Sequence, residues 1–256
     1  MKPKLRVLDL FSGIGGLSLG LERTGGFETV AFCEIEPFPR RVLAKHWPKV
    51  PCYHDVRTLT ASQLVSDGIG VDVICGGFPC QDVSVAGRKD GIEGARSGLY
   101  REYIRLVGDI RPRFIIMENV TGLLNGGLHA VLGALAQIGY DAEWHCVRAA
   151  RFGLPHKRDR IWIVAHPSGS GWQRLVTHNR LSECQKAPLA KPRDTVAGYW
   201  MQLVADKCGL RTGDGVSLQL ERHRLKSLGN AVVPDKPEMI GNAILNAIGW
   251  RESEAA

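Results

Sequence analysis

A cysteine, a carboxylate and a glycine-rich turn are the parts of this sequence whose residue types could carry chemistry. Cys80 follows Pro79 at the end of an apolar, strand-like run at residues 71–77. Proline restricts its own backbone and that of the residue before it, so Cys80 is expected on a defined, partly exposed turn. A thiol presented in this way can act as a nucleophile. Cys75 lies inside the same run and is expected to be an inert core residue.

The carboxylate follows a second apolar run. Glu118 comes directly after residues 114–117, Phe-Ile-Ile-Met. An acidic residue at a strand end most often simply faces solvent. In open α/β sheets, however, ligands and chemistry collect at the carboxyl ends of the strands. A cysteine nucleophile and a partly desolvated carboxylate at neighbouring strand ends therefore favour an acid–base role for Glu118.

The glycine-rich turn at residues 9–16, Asp-Leu-Phe-Ser-Gly-Ile-Gly-Gly, joins the first predicted strand to the first predicted helix. Glycines there allow a ligand to approach the backbone at a helix N-terminus. Glu34, about twenty residues further on, can hold two ribose hydroxyls, and Asp55 could accept a hydrogen bond from an adenine amino group. The spacing fits an adenosyl ligand better than a dinucleotide, whose pattern is GxGxxG. A tight turn without a ligand is the alternative for this segment alone.

Strand-like and helix-like patterns alternate over the first 166 residues, which predicts an α/β fold with a mostly parallel sheet flanked by helices. The predicted strands are residues 6–11, 29–34, 71–77, 114–120 and 160–165, and the predicted helices are 15–23, 37–46, 129–138 and 237–248. Regularity fades between 167 and 223. We therefore predict one catalytic domain, made of residues 1–166 and 224–256, interrupted by a small irregular insertion at 167–223.

Composition restricts the class of protein. The seven cysteines form no CxxC pair, which argues against a disulfide framework or a zinc site and favours a reducing cytoplasm. No run of eighteen apolar residues occurs, and the N-terminus has no signal-peptide pattern, so no membrane association is expected.

Residues 151–193 carry nine Lys and Arg against two acidic residues, an excess equal to the +7 of the whole chain. This clustering favours a polyanionic partner. The glycine-rich, charged residues 82–98 are predicted to form a mobile loop that contacts phosphates.

Taken in order, these segments resemble the bacterial and phage cytosine-C5 DNA methyltransferases. Cys80 lies in Pro-Cys-Gln and Glu118 in Glu-Asn-Val, residues 96–100 resemble the loop end and helix start on the cofactor side, and residues 228–234 resemble the last motif. Residues 153–160 resemble the GxPQxRxR segment, with His156 in place of glutamine. The resemblance covers residues 5–166 and about 224–248. It implies a Rossmann-like S-adenosylmethionine-dependent methyltransferase fold.

The resemblance also implies roles for individual residues. Cys80 would add to carbon 6 of a cytosine flipped out of double-stranded DNA, and Glu118 would protonate or hydrogen-bond ring nitrogen 3. Of Arg158 and Arg160, one would orient the oxygen of the base and the other Glu118 or nearby backbone. S-adenosylmethionine is the implied cofactor, no metal is required, and the implied cofactor-binding residues are Phe11, Gly13, Gly15, Glu34, Ile35, Asp55, Val56, Leu99 and Asn230. The implied substrate-binding residues are Pro79, Gln81, Ser84 and Asn119.

The insertion is short for a target-recognition region. The threonine-plus-arginine signature of the family has its nearest counterpart at residues 193–196. We expect a monomer acting on DNA, in a restriction–modification, phage-protection or orphan setting, with a partner subunit as the alternative. Two further alternatives remain: a tRNA cytosine-5 methyltransferase, whose Pro-Pro-Cys lacks the Gly-Phe-Pro-Cys-Gln context found here, and a DNA-binding relative that has lost catalysis.

Overall fold

Short runs of leucine, isoleucine and valine form the central strands of the protein. The computed structural model describes residues 2–79, 99–147, 159–170 and 231–250. The strands are β1 (Leu5–Leu10), β2 (Phe27–Cys33), β3 (Cys52–Tyr53), β4 (Val73–Gly76), β5 (Phe114–Val120), β6 (Tyr140–Val147) and β7 (Arg160–Pro167). The helices are α1 (Gly16–Arg23), α2 (Pro37–His46), α3 (Ala61–Ser66), α4 (Tyr100–Ile110), α5 (Leu123–Gly126), α6 (Leu128–Gln137) and α7 (Asp235–Ala247).

The described strands form one sheet in the order β3-β2-β1-β4-β5-β7-β6. Neighbouring strands are parallel from β3 to β5. Strand β7 runs antiparallel between β5 and β6. The chain moves outward from β1 to β2 and β3, and then returns to place β4 on the other side of β1. In open α/β sheets, ligands bind at such a reversal of strand order, beside the carboxyl ends of the strands.

Helices cover both faces of the sheet. Side chains alternate between the two faces along each strand, so the same strands give both faces apolar side chains that helices bury. On one face, buried residues of β1, β4, β5 and β7 pack with α3, α4 and α6. On the other face, the alternate residues of the same strands pack with α1 and α7. The helices at the sheet therefore hold the carboxyl ends of β1, β4 and β5 in fixed positions. Within the described residues, no helix is both long enough and apolar enough to span a bilayer.

The observed elements confirm the predicted α/β class and most of the predicted elements. Helix α2 and strand β5 have the predicted bounds. Helix α2 begins at Pro37, a residue whose fixed backbone angle suits the first helical position. The predicted set was incomplete, since strands β3 and β6 and helices α3 and α5 were not predicted. Most of the insertion predicted at 167–223 lies outside the described residues, and so do residues 224–230 of the predicted catalytic domain, so the domain division stays a prediction.

Candidate active site

The carboxyl ends of four parallel strands bring the predicted site segments to one edge of the sheet. The glycine turn follows β1, Glu34 follows β2, residues 77–79 follow β4, and Glu118 lies near the end of β5. Strand register fixes these neighbours, because Gly76 pairs with Leu10 on one side and with Met117 on the other. The end of β4 therefore lies between the glycine turn and the strand that carries Glu118.

The glycine turn adopts a backbone that most side chains would not tolerate. Gly13 and Gly15 have φ angles of 54° and 84°, and Phe11, although not a glycine, has a φ of 53°. A Cβ at Gly15 would lie 2.7 Å from the ring of Trp47, so no larger residue fits there. Backbone strain of this kind persists where the surrounding structure enforces it, and it clusters at ligand sites.

Ser12 fixes this turn to the end of β2. Its hydroxyl donates to the Asp9 carbonyl oxygen at 2.6 Å and accepts from the Cys33 N–H at 3.2 Å. The Ser12 N–H donates in turn to the Cys33 carbonyl oxygen at 3.2 Å. Sequence patterns did not single out Ser12, because a buried serine inside a glycine turn has the same composition as any loop serine.

Glu34 presents a carboxylate whose two oxygens are both held in place. Oε2 accepts from the Gly13 N–H at 2.7 Å, and Oε1 accepts from the Glu36 N–H at 2.7 Å. The residue is only 8% exposed, whereas Ile35 beside it is 48% exposed. A carboxylate oxygen can accept more than one hydrogen bond, so both oxygens keep a lone pair for ligand hydroxyls. The structure thus joins two of the predicted cofactor residues, Gly13 and Glu34, by a direct contact.

Asp55 lies just beyond the short strand β3. The guanidinium of Arg57 donates to its carboxylate, with Nη2 2.6 Å from Oδ2, and this hydrogen bond lowers the pKa of Asp55. Asp55 is therefore an ionised acceptor at neutral pH. Val56, next in the chain, is buried in the core. Arg105 of α4 donates to the Val56 carbonyl oxygen at 3.0 Å, which ties this segment to the helix that follows Leu99.

Glu118 forms an ion pair at the edge of the core. Arg160 Nε lies 2.9 Å from Glu118 Oε1, and the Glu118 side chain is 13% exposed. The pair arises from register, because Glu118 faces Trp162 and Val120 faces Arg160 on the antiparallel strand β7. Glu118 also lies against the segment that precedes Cys80, since a Cβ at Gly77 would be 2.9 Å from Glu118 Oε2.

Asn119 connects the ends of β5 and β4. Its Nδ2 donates to the Phe78 carbonyl oxygen at 3.1 Å, while its Oδ1 accepts from the Val120 N–H at 2.8 Å. The residue is 4% exposed. Both amide atoms thus contact backbone, which ties the two strand ends together; the predicted substrate contact of Asn119 stays a prediction. Phe78 is itself buried against Tyr100, so the half-buried Pro79 follows a firmly held residue.

Two buried groups near β1 have strongly perturbed acidity. Desolvation raises the pKa of Asp9 to about 7, although the Ser18 hydroxyl donates to Asp9 Oδ2 at 2.8 Å. Desolvation also raises the pKa of the Cys75 thiol well above its usual range. Cys75 is fully buried, as predicted, and its thiol stays protonated and unreactive. No sequence pattern marks Asp9 as an unusual carboxyl, because its burial depends on the packing of the sheet.

Five predicted site residues lie outside the described residues: Cys80, Gln81, Ser84, Arg158 and Asn230. Their roles stay predictions. The described part of the site is therefore a held carboxylate, Glu118, next to the residues that lead to Cys80. A second held carboxylate, Glu34, lies beside a strained glycine turn.

Comparison with known proteins identifies the family. The model of the C-5 cytosine-specific DNA methylase family matches residues 5–207, well over half of the chain. The chain belongs to this family. The relatives of this family member include the type II methyltransferase M2.BsuMI of Bacillus subtilis, 38% identical over 169 residues, which are 63% of this chain and 42% of the relative. They also include the type II methyltransferase M.AquIA of Picosynechococcus, 30% identical over 75% of this chain and 86% of the relative.

Solved structures support the same fold for this cytosine-methylase family member. A putative DNA modification methyltransferase from an Escherichia coli prophage matches with a TM-score of 0.54 and 29% identity, over 64% of this chain and 47% of that one. The Dnmt2 methyltransferase of S. pombe matches with a TM-score of 0.61 over 96% of this chain and 98% of that one, and at 18% identity it supports the fold alone. This chain spans about two fifths of the length of several curated relatives that it matches.

The described residues of this member of the cytosine-methylase family fit the cofactor that the family implies, S-adenosylmethionine. Apart from Gly13 and its two chain neighbours, no atom of the described residues lies within 4 Å of the place that a Cβ at Gly13 would take, so this part of the structure leaves space beside the turn. The anchored carboxylate of Glu34 borders this turn, and the exposed Ile35 offers an apolar surface for a flat ring. Ribose hydroxyls can donate hydrogen bonds to such a carboxylate, and an adenine ring can pack on such an apolar surface.

Proposed function

We propose that this protein transfers a methyl group to carbon 5 of cytosine in double-stranded DNA, with Cys80 as the nucleophile. One observation carries the proposal. In a chain of the cytosine-methylase family, the ion-paired carboxylate of Glu118 lies against the segment at residues 77–79. Cys80 is the next residue in the sequence.

The chemistry explains why a thiol and a carboxylate are both needed. Carbon 5 of cytosine is too weak a nucleophile to take a methyl group unaided. When the thiolate of Cys80 forms a bond to carbon 6, the electron pair of the ring moves toward carbon 5. Carbon 5 would then take the methyl group while the bond from that carbon to the sulfonium sulfur of the donor breaks, which leaves S-adenosylhomocysteine. A base would remove the proton from carbon 5, and the bond between the Cys80 sulfur and carbon 6 would break. Cys80 is regenerated.

Glu118 would stabilise this adduct at ring nitrogen 3, by donating a proton or a strong hydrogen bond. The ion pair with Arg160 supports this role, because the guanidinium fixes Oε1 of Glu118, while Oε2 lies on the side of Gly77. We assign Arg160 to the positioning of Glu118. Arg158 is then the candidate to orient the oxygen of the base and to lower the pKa of the Cys80 thiol.

Bound S-adenosylmethionine supplies an electrophilic methyl group. Glu34 would accept hydrogen bonds from ribose hydroxyls, and Asp55 from the adenine amino group. The strained turn at Phe11 and Gly13 would lie along the ligand, with Ile35 against the adenine ring. Gly15, Val56, Leu99 and Asn230 complete the proposed pocket.

Double-stranded DNA is the proposed substrate, and the base has to leave the helix to reach Cys80. Base flipping costs a few kcal/mol. Contacts from the basic residues 151–193 and from residues 82–98 to phosphates would offset this cost. Pro79, Gln81 and Ser84 are the proposed substrate contacts near the base. We further infer that the protein acts in the cytoplasm as a monomer.

A trapping experiment tests the nucleophile. Duplex DNA with 5-fluorocytosine at the target should form a covalent complex with the protein in the presence of cofactor. The fluorine takes the place of the proton that a base removes from carbon 5, and a base cannot remove it, so Cys80 is not released. Cys80→Ala should abolish the complex, which is detected as a gel shift that survives denaturation. Cys146→Ala removes an exposed thiol and serves as the matched control. A trapped complex with Cys80→Ala would overturn the assignment.

Replacing Glu118 by glutamine tests the acid. We expect kcat to fall by at least about a hundredfold, a typical contribution of general acid–base catalysis, with cofactor affinity unchanged. Loss of cofactor affinity instead would show a structural role. Methyl transfer to tRNA in place of duplex DNA would overturn the proposed substrate and favour the RNA alternative.

A further inference from the structure

Arg40 holds two backbone carbonyls beside the proposed cofactor pocket. It lies in the first turn of α2, the helix that follows Glu36. Its Nη1 donates to the Glu34 carbonyl oxygen at 3.0 Å and to the Tyr53 carbonyl oxygen at 2.8 Å. The same nitrogen lies 3.5 Å from Cys52 Sγ. One half-buried guanidinium group thus connects the ends of two neighbouring strands, β2 and β3.

The connection matters because the pairing of β2 with β3 is short. The two strands pair over only two positions, Phe32 with Cys52 and Cys33 with Tyr53. The Glu34 N–H donates to the Tyr53 carbonyl oxygen at 3.0 Å, so this oxygen accepts from both Glu34 and Arg40. Strand β3 is also the edge of the sheet. Within the described residues, one further backbone hydrogen bond joins these segments, from the Phe32 N–H to the Pro51 carbonyl oxygen at 2.9 Å. The two bonds from Arg40 are therefore a substantial part of what fixes β3 relative to the end of β2.

Both connected strand ends carry a proposed ligand group. Glu34 contributes the carboxylate that both Gly13 and Glu36 hold, and Asp55 lies two residues beyond Tyr53. A ligand that contacts both carboxylates requires a fixed distance between them. Small displacements of a binding group weaken binding because preorganisation is lost.

We propose that Arg40 is a positioning residue for the cofactor, which sets the spacing between Glu34 and the Asp55 segment through their backbones. This inference rests on the proposed function, since it assumes that the two carboxylates bind an adenosyl ligand. Nothing in a sequence pattern marks Arg40, because Arg41 beside it is also a helix arginine. Arg41 is exposed, and its guanidinium carbon lies 5.7 Å from the centre of the Phe38 ring.

Binding of S-adenosylhomocysteine to the full chain, measured by calorimetry without DNA, tests the inference. We expect Arg40→Met to raise Kd by about tenfold, the effect of about 1.4 kcal/mol. Arg41→Met is the matched control and should stay within about twofold of the wild type. In turnover assays, Arg40→Met should raise KM for S-adenosylmethionine by a similar factor, with kcat at saturating cofactor and KM for DNA unchanged. A residue that only stabilises the fold would lower the melting temperature of the free protein without this selective change in KM.

The outcomes separate the inference from the proposed function. Equal Kd values for Arg40→Met and Arg41→Met, with a wild type that binds, would overturn the role of Arg40 and leave the proposed function intact. A wild type that does not bind S-adenosylhomocysteine would overturn the cofactor site itself. If Arg40→Met does not fold, Arg40→Gln against Arg41→Gln decides in the same way, since glutamine is neutral and too short to reach both carbonyls.

Discussion

Replacing Asp9 by asparagine tests whether a buried carboxyl group makes the stability of this protein depend on pH. Asp9 is fully buried on β1, where the Ser18 hydroxyl donates to its Oδ2. Its Oδ1 has no hydrogen-bond partner within the described part of the chain. Cys75, a weak donor, lies opposite on β4. Burial without full compensation penalises the charged form, and this desolvation raises the pKa of Asp9 to about 7.

The direction of the pH dependence follows from the protonation of Asp9 in the folded and in the unfolded chain. Below the unfolded pKa of 3.8, Asp9 is neutral whether the chain is folded or not, and its contribution to stability is fully present. As pH rises, the unfolded chain releases the proton while the folded chain keeps it up to about 7, so stability is lost throughout this window. Across the whole window, the free energy of unfolding falls by roughly 4 kcal/mol, at about 1.4 kcal/mol for each unit of pKa.

An asparagine at this position has no proton to release. We therefore expect the free energy of unfolding of Asp9→Asn, relative to the wild type, to rise by roughly 3 kcal/mol between pH 4.5 and pH 8. Urea denaturation at several pH values measures the difference, and titrations common to both proteins cancel. Asp109→Asn is the control, because Asp109 has a half-exposed side chain. A difference that changes by less than about 1 kcal/mol over this range would refute the reasoning, since one shifted group contributes about 1.4 kcal/mol per unit.

Three further substitutions test local packing. Gly77→Ala places a Cβ 2.9 Å from Glu118 Oε2, so the carboxylate must move. We expect kcat to fall by about tenfold while the fold is retained. An unchanged kcat would contradict this expectation. Gly20→Ala places a Cβ 2.2 Å from a backbone oxygen just before α7, and denaturation should show a loss of about 2 kcal/mol, whereas a neutral result would mean that α7 shifts freely. Thr60→Ala removes the side-chain acceptor at the start of α3 and should cost about 1 kcal/mol in the same assay, so an equally stable variant would argue against the cap.

Local sequence signals were sufficient for the elements whose stability is locally encoded. Helix α2 has proline at its start and basic residues in its last turn, and strand β5 begins with four apolar residues in succession. Strand β6 was not predicted, although Tyr140, Ala142, Trp144 and Cys146 alternate with polar or charged residues until Val147. Its partner β7 runs antiparallel beside β5, and this placement depends on contacts between segments that are distant in the sequence.

The candidate site divides in the same way. Glu118 and Glu34 could be predicted, because a carboxylate directly after an apolar run is visible in the sequence. The side-chain contacts to backbone that hold the site in place could not, even though Asn119 itself was predicted as a substrate-binding residue. Asn119, Arg40 and Arg105 act on backbone carbonyl oxygens of other segments, and every residue type has such an oxygen. Only the folded arrangement shows which oxygen each side chain reaches.

Two consecutive glycines explain how one strand end can serve both halves of the site. A Cβ at Gly76 would lie 2.3 Å from the Leu10 carbonyl oxygen, so β4 approaches the end of β1 more closely than any other residue would allow. The missing Cβ at Gly77 leaves room for the Glu118 carboxylate on the opposite side. Strand β4 therefore ends between the glycine turn and the proposed acid, and the chain continues through Phe78 and Pro79 to Cys80. The reaction requires a thiol, an acid and a methyl donor to meet at one ring. This arrangement places the proposed acid, Glu118, and the proposed site of the methyl donor beside the residues that precede Cys80.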